Sequence, residues 1–364
     1  MKILIDDGMA SLSSLSGIGH QGNSLFRYLA RSIECDVTYY PALRRLPKVA
    51  RRLAYMTLEN VEALRGRYDL VHYQNYYVPL YTRKSRTVVT IHDMGTFRFP
   101  DITPPLYSWY NRHSVRKAVE RSDAVIVPSR FSKHEICELL PSAGEERIFI
   151  CTNGLREPFV KQAGSEADVR SLGLVPFSYF FFAGVLTKRK NLKFLLEAFG
   201  IARKKGALSD RTSLVLAGQN AWDTGEIEDL LRQEGVVRLG YVRDEVLPAL
   251  YRYSNALVFP SFYEGYGIPL IEAMSQGTPI VVSDIPASAE LNSAHGNRMH
   301  VFSLGDRDAL IAILELLARP TGSFPIRVDY GDLSQYHYEK VAARHLDVYR
   351  TILAGSLQPS EEAS

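Results

Sequence analysis

Short apolar runs recur along this chain with helix-patterned stretches between them. In the first half they fall near residues 2–5, 35–40, 69–73, 87–91, 123–127 and 147–151. In the second half they fall near 178–184, 213–217, 236–240, 256–260, 279–283 and 299–303. Strands that alternate with helices predict parallel sheets, because parallel neighbours can be joined only through a crossover. Each half therefore predicts a doubly wound sheet of six strands, and 364 residues leave room for two or three domains. The polar, irregular stretch from Asn153 and Gly154 to Gly173 reads as the linker. The last helical pattern, from about Tyr336 to Leu353, is followed by no strand and has to pack on something already built. Two facing sheets would put a cleft between them, with ligands outside the C-terminal ends of the strands. The chemistry should then lie just after strands.

Composition narrows the class. The chain is 46% hydrophobic and 23% charged, an ordinary globular balance. No apolar run approaches the ~20 residues of a membrane span, and Lys2-Ile-Leu-Ile5 running into Asp6-Asp7 does not read as a signal peptide. Cys35, Cys137 and Cys151 are few, odd in number and without metal-ligand spacing, which fits buried thiols in a reducing compartment. Residues 1–150 hold 21 Lys/Arg and 15 Asp/Glu, the remainder 22 and 25. A basic first half suits an anionic partner. Its densest stretch, Leu43-Arg44-Arg45-Leu46-Pro47-Lys48-Val49-Ala50-Arg51-Arg52-Leu53, is either a solvated face or a contact with an anionic membrane.

The most specific string is Glu264-Gly-Tyr-Gly-Ile-Pro-Leu-Ile-Glu272, directly after the apolar run that ends at Pro260. It reads as strand, glycine-bearing loop and helix, with Pro269 in the first helical turn. The amides around Gly265, Tyr266, Gly267 and Ile268 would point out of a helix N-terminus, which is an anion site. Glu264 before it and Glu272, expected in the first turn, are poor phosphate ligands but good acceptors for hydroxyls. Diphosphate on the amides, a hexose near Glu264 and a ribose near Glu272 would describe a nucleotide sugar. Either glutamate alone is equally well a surface charge beside a βα turn.

Pro260-Ser-Phe-Tyr-Glu264-Gly-Tyr-Gly-Ile-Pro-Leu-Ile-Glu272-Ala-Met, continuing to Gly277-Thr-Pro-Ile-Val-Val, resembles the signature of the retaining glycosyltransferases of family four. The resemblance implies the α/β GT-B fold: two Rossmann-like, doubly wound domains facing a central cleft, with a terminal helix crossing back to the first domain. Divided on that basis, residues 1–165 form an acceptor domain, 166–333 a nucleotide-sugar domain and 334–357 the returning helix. The resemblance also assigns roles. In Gly184-Val-Leu-Thr-Lys188-Arg189-Lys190-Asn191 the family's phosphate-binding lysine maps onto Lys190. The arginine often found after the glycine is Val185 here, and Arg189 is the candidate to replace it. In Thr90-Ile-His92-Asp93 the family's histidine, which contacts the donor sugar, maps onto His92, while Asp93 orients the loop or touches the acceptor. Gly17 and Gly19 map onto the family's glycine-rich first loop near the donor. Ser129 reads as a helix cap, with Arg130 beside it as a candidate acceptor contact.

Two strings suggest other chemistry. Gly17-Ile-Gly19-His20-Gln21-Gly22 matches the dinucleotide fingerprint and supports an NAD(P)-dependent oxidoreductase. However, about ten residues separate it from the first strand, and Tyr39-Tyr40-Pro41 stand where a ribose-binding acid is expected. Asp306-Arg-Asp308 resembles a metal-binding pair but opens a helical pattern, so capping accounts for it. No metal or other cofactor is expected. The leading expectation is thus a retaining, metal-independent hexosyltransferase. It would be cytoplasmic or peripheral on the inner membrane face, and would move sugar from a nucleotide diphosphate to a glycan or polyprenyl-diphosphate-linked acceptor. The donor inclines to GDP-mannose, with UDP-glucose and dTDP-rhamnose as alternatives. A GT-B epimerase or phosphorylase, and a non-enzymatic sugar-nucleotide-binding subunit, are further alternatives.

Overall fold

The computed structural model describes residues 1–6, 17–32, 35–38, 68–76, 85–100, 105–219, 225–318 and 326–355. The basic stretch 43–53 lies outside them. The chain divides into two compact units, residues 1–154 with 334–364, and residues 155–333.

The first unit holds β1 (Ile3–Asp6), β2 (Cys35–Thr38), β3 (Leu70–Tyr73), β4 (Arg86–Thr90), β5 (Ala124–Val127) and β6 (Ile148–Ile150). They form one parallel sheet in the order β2-β1-β3-β4-β5-β6. Both faces are covered, which is why its strands are apolar at successive positions. Ile3, Ile5, Leu70, Val88 and Ile126 face α1 (Gly17–Ser32). Leu4, Val71, Val89, Val125 and Val127 face α2 (Pro105–Arg121) and α3 (Arg130–Leu139).

The second unit holds β7 (Tyr179–Ala183), β8 (Ser213–Ala217), β9 (Val236–Gly240), β10 (Ala256–Phe259), β11 (Ile280–Ser283) and β12 (His300–Phe302). They are parallel in the order β12-β11-β10-β7-β8-β9. All five residues of β7 are buried, as a central strand covered on both faces requires. Phe180 and Phe182 pack with Leu195, Leu196 and Phe199 of α4 (Leu192–Lys204) and with Leu310 and Leu314 of a later helix, residues 307–318. Phe181 meets Tyr251 edge-on at 4.9 Å on the other side.

The division after Gly154 corrects the sequence-based boundary at 165. Residues 155–165 are tied into the second unit: Phe159 is buried, its carbonyl accepts from Gln276 Nε2, and Gly164 accepts from Arg252. Two more helices of this unit are α5 (Ile268–Ser275) and α6 (Pro286–Ala294), and the helix at 307–318 is α7 (Arg307–Ala318).

The terminal helix α8 (Tyr338–Leu353) belongs with the first unit, as expected. Tyr338, Val341, Ala342, His345, Leu346, Tyr349 and Ile352 are buried at the spacing of one helical face and join the core of Ile3, Leu25 and Leu29. Gln21 of α1 grips Gly154 through both ends of its amide, donating to the Gly154 carbonyl at 2.8 Å and accepting from its N–H at 3.1 Å. Tyr338 also donates its hydroxyl to Gln21. Among the described residues no helix is long and apolar enough to cross a membrane.

Candidate functional site

The second sheet reverses direction between β7 and β10. From β7 the chain crosses to β8 on one side, and from β10 to β11 on the other. A crevice opens outside the strand ends at such a switch point. Two loops meet there: residues 184–191 after β7, and residues 260–267 after β10.

The first loop needs little space. Gly184 (φ +144°) and Gly218 (φ +145°) lie back to back, and a Cβ on Gly218 would sit 1.9 Å from the Gly184 carbonyl oxygen. The loop then tightens through a short 3₁₀ turn, Lys188–Lys190, and Asn191 in the left-handed region starts α4. That turn buries Lys190 to 8% exposure, with its ammonium 4.5 Å above the Phe259 ring. The second loop delivers Glu264, 7% exposed, against it. Lys190 Nζ donates to Glu264 Oε1 at 2.6 Å, and Arg189 Nη1 donates to Glu264 Oε2 at 3.0 Å and to the Tyr263 carbonyl at 2.8 Å. The Phe262 N–H donates to the Arg189 carbonyl, fastening one loop to the other.

Two cations thus share one buried carboxylate. Burial alone would raise the Glu264 carboxyl, but the charges of Arg189 and Lys190 and the Lys190 hydrogen bond outweigh it and hold the group at about 2. Val185, where the family arginine is missing, is 41% exposed, while Arg189 supplies the second cation at the carboxylate. Gly265, Tyr266 and Gly267 complete the loop, and Gly267, at φ +104°, turns the chain into α5 at Ile268. The N–H groups of Gly267 and Ile268 have no hydrogen-bond partner among the described residues, as expected where no preceding carbonyl is available. Pro269 stands in the first turn.

Glu272 departs from expectation. It lies in the second turn of α5, and its carboxylate is engaged. Arg156 Nε and Nη2 both donate to Oε1, at 3.0 and 2.6 Å, and the Tyr251 hydroxyl donates to Oε2 at 2.8 Å. Arg156 also donates to Asp244 at 2.5 Å and stacks on Phe159. A carboxylate offers about four acceptor positions, so Glu272 keeps about one for a ribose hydroxyl. Sequence reasoning missed Arg156, Asp244 and Tyr251.

In the first unit, His92 follows β4 by two residues. Its Nε2 lies 3.0 Å from the Gln74 carbonyl, which can only accept, so Nε2 carries the proton. Burial lowers the imidazole pKa against the opposing pull of that hydrogen bond and of Asp93. The ring is therefore neutral near pH 7, with Nδ1 as an acceptor. Asp93 Oδ1 accepts from the Gly95 N–H at 2.9 Å and so shapes the loop.

Other readings resolve as local structure. Ser129 caps α3 by accepting from the Ser132 N–H, and Arg130 is exposed in the first turn. Asp306 caps α7 through the Ala309 N–H at 2.9 Å, and Asp308 points to solvent. Gly17 and Gly19 were expected in a loop; they open α1 instead, and the ten residues preceding them lie outside the described set. Among the described residues β1 spans Ile3–Asp6 and α1 Gly17–Ser32, and the fingerprint glycines lie within α1. Cys151 is buried and its thiol is pushed up to about 12.

Sequence profiles of two families match in order: Glycosyltransferase Family 4 over residues 20–157 and Glycosyl transferases group 1 over 168–323. The O-antigen chain mannosyltransferase B of Escherichia coli is 31% identical over 236 residues, covering 63% of this chain and 61% of that protein. The aligned stretches span about three fifths or less of the curated relatives' lengths. Among solved structures, sucrose-phosphate synthase from Thermosynechococcus elongatus superposes with a TM-score of 0.75 at 18% identity, covering 98% of this chain and 100% of that one. Anabaena HepE in complex with UDP-glucose gives 0.66 at 18% identity, covering 97% and 100%. The ordered profiles, the two doubly wound sheets and the returning helix agree: this chain belongs to family 4 of the glycosyltransferases, with the GT-B fold.

Proposed function

We propose that this chain transfers a hexosyl group, with retention of anomeric configuration and without a metal, from a nucleoside-diphosphate sugar to a glycan hydroxyl. The observation that carries the reading is the buried Lys190–Glu264 pair, with Arg189 on the same carboxylate, at the switch point of the second sheet. Lys190 and Arg189 share the Glu264 carboxylate as a counter-ion, and a counter-ion can be exchanged. An entering diphosphate would take them over, aided by the Gly267 and Ile268 amides at the positive end of α5. Glu264, released, would accept hydrogen bonds from sugar hydroxyls.

In the proposed reaction the bond from the anomeric carbon to the phosphate oxygen breaks, and a bond to the acceptor oxygen forms on the same face. The acceptor proton passes to the departing phosphate, so the nucleoside diphosphate leaves with it. The transition state carries oxocarbenium character, and the protein's part is to stabilise charge developing on the leaving group. His92 is assigned to a hydroxyl of the donor sugar, and Asp93 and Arg130 to the acceptor side. Because the E. coli relative is named a mannosyltransferase, GDP-mannose is the favoured donor, and polysaccharide assembly on a lipid-linked acceptor at the inner membrane face is the favoured setting.

The test is a transfer assay with GDP-mannose, UDP-glucose and dTDP-rhamnose, with EDTA present, reading the anomeric configuration of the product by NMR. Retained configuration with one donor supports the proposal. Inverted product, or turnover only with added metal, overturns it.

A further inference from the structure

The first sheet has its own switch point, between β1 and β3, and the residue that leaves β3 beside it is Gln74. The pairing of β3 with β4 ends at Tyr73 and Val89, so the Gln74 carbonyl lies beyond the ladder. A backbone carbonyl has to find a partner elsewhere, and this one accepts from His92 Nε2 at 3.0 Å. The Gln74 side chain, 5% exposed, turns the opposite way. Its Nε2 lies 3.2 Å from Nδ1 of His72, a fully buried residue of β3. The Tyr349 hydroxyl of α8 lies 2.6 Å from that same Nδ1, and Thr90 Oγ1 of β4 lies 2.8 Å from His72 Nε2.

The directions of these bonds are fixed by chemistry. A glutamine amide nitrogen only donates, so His72 Nδ1 is an acceptor and its proton sits on Nε2, directed at Thr90. The second buried histidine, His345 of α8, stands 5.9 Å away ring to ring and spends its own Nδ1 on the Val341 carbonyl. His72 is thus held by Tyr349 and His345 of α8 and by Thr90 of β4, and Gln74 is anchored to it.

We propose that Gln74 is a positioning residue for His92: its side chain, anchored on His72, holds its own carbonyl so that His92 keeps the Nε2–H tautomer and presents Nδ1 as the acceptor. This rests on the reading of His92 as a sugar contact. In the opposite tautomer the ring would present a donor where a substrate hydroxyl offers its proton. The sequence gives no hint of the arrangement, because the atom that touches His92 is main chain and any residue type could supply it.

The experiment uses the full chain with ¹⁵N-labelled histidine. Ring ¹H–¹⁵N correlation spectra report the tautomer of His92, assigned by its loss in His92→Ala. Wild type is expected as Nε2–H. Gln74→Met keeps the volume and removes the donor. It is expected to turn His92 into a mixture of tautomers, and to lower kcat about 10-fold or more with little change in donor KM, as loss of orientation does. Gln74→Asn, which keeps the amide but falls a methylene short of His72, is expected to do the same and serves if the methionine variant does not fold. In the double variant Gln74→Met with His92→Ala, the Gln74 change should add no further loss. A pure Nε2–H signal in both Gln74 variants overturns the inference. Mixed tautomers with a kcat untouched by His92→Ala would sustain the positioning and instead overturn the sugar-contact reading.

Discussion

The strand ends of the two sheets are furnished differently. In the first unit His72, Gln74, Thr90 and His92 form a neutral network in which orientation is the product. In the second unit the buried Lys190, Glu264 and Glu272 are held in balance with the half-buried Arg189, Arg156 and Asp244. The contrast follows from what each would handle. Hydroxyls are read by acceptors and donors of fixed direction, whereas a diphosphate is met by cations and amides. A neutral network keeps its geometry when a ligand arrives. A charged one has to exchange partners, so an entering anion would gain the cations at the cost of displacing the carboxylate.

The largest effect is expected in the charged cluster. Lys190→Ala and Glu264→Ala should each lower kcat by about 100-fold or more, comparable to removing an oxyanion contact. Glu264→Ala also takes the carboxylate from the buried Lys190, so chemical denaturation should show a loss of about 3–5 kcal/mol, whereas Lys190→Ala leaves Glu264 on Arg189 and should lose less. A double change, Lys190→Met with Glu264→Gln, should recover much of that stability and none of the activity. Near-normal turnover by Lys190→Ala would sink the phosphate assignment.

Acid should separate the two units. Burial holds His345 at about 4, against an ordinary value of 6.5, with the Val341 hydrogen bond opposing, and burial also lowers His72 well below its ordinary value. The unfolded chain therefore binds protons that the folded one refuses. Stability from this source is complete above pH 6.5 and declines as pH falls towards 4, by up to about 3 kcal/mol for His345. Glu264 stays ionised throughout that range. Hydrogen exchange from pH 7 to pH 4.5 should show α8 and β3 losing protection ahead of β7 and β10. Simultaneous loss would contradict the contrast.

Glu272→Ala should act mainly on donor affinity, raising KM about 10-fold with a smaller change in kcat, because Glu272 has about one acceptor position left for a ribose. Thermal melts of Asp306→Ala, at the smallest end, should register the loss of one helix cap, about 1 kcal/mol, with unchanged activity. A strong activity loss there would revive the metal-pair reading of Asp306 and Asp308.

How much of this was legible in the sequence divides along physical lines. The twelve strands of the described residues were readable, the central ones because a parallel strand covered on both faces is apolar at consecutive positions, as Tyr179-Phe-Phe-Phe-Ala183 shows. Lys190, Arg189 and Glu264 were readable because each follows a strand end that the fold brings to one switch point. The partners of Glu272 were not. Arg156 lies 116 residues away in what reads as a linker, and only Pro158 at the start of a short helix marks order there. The Gln74–His92 contact was hidden for the different reason that its acceptor is main chain. The distance of Gly17 from the first strand was legible and set the dinucleotide reading aside, whereas the loop expected for Gly17 and Gly19 came from the resemblance, and both stand at the start of α1.

The deciding measurement is calorimetric titration of GDP, UDP and dTDP into the wild-type chain and into Lys190→Ala, in EDTA. One diphosphate should bind the wild type, and its affinity should fall at least about 10-fold in the variant, the weight of one lost charge-assisted contact. Equal affinity in both proteins would contradict the claim that the buried Lys190–Glu264 pair is where the donor's diphosphate sits.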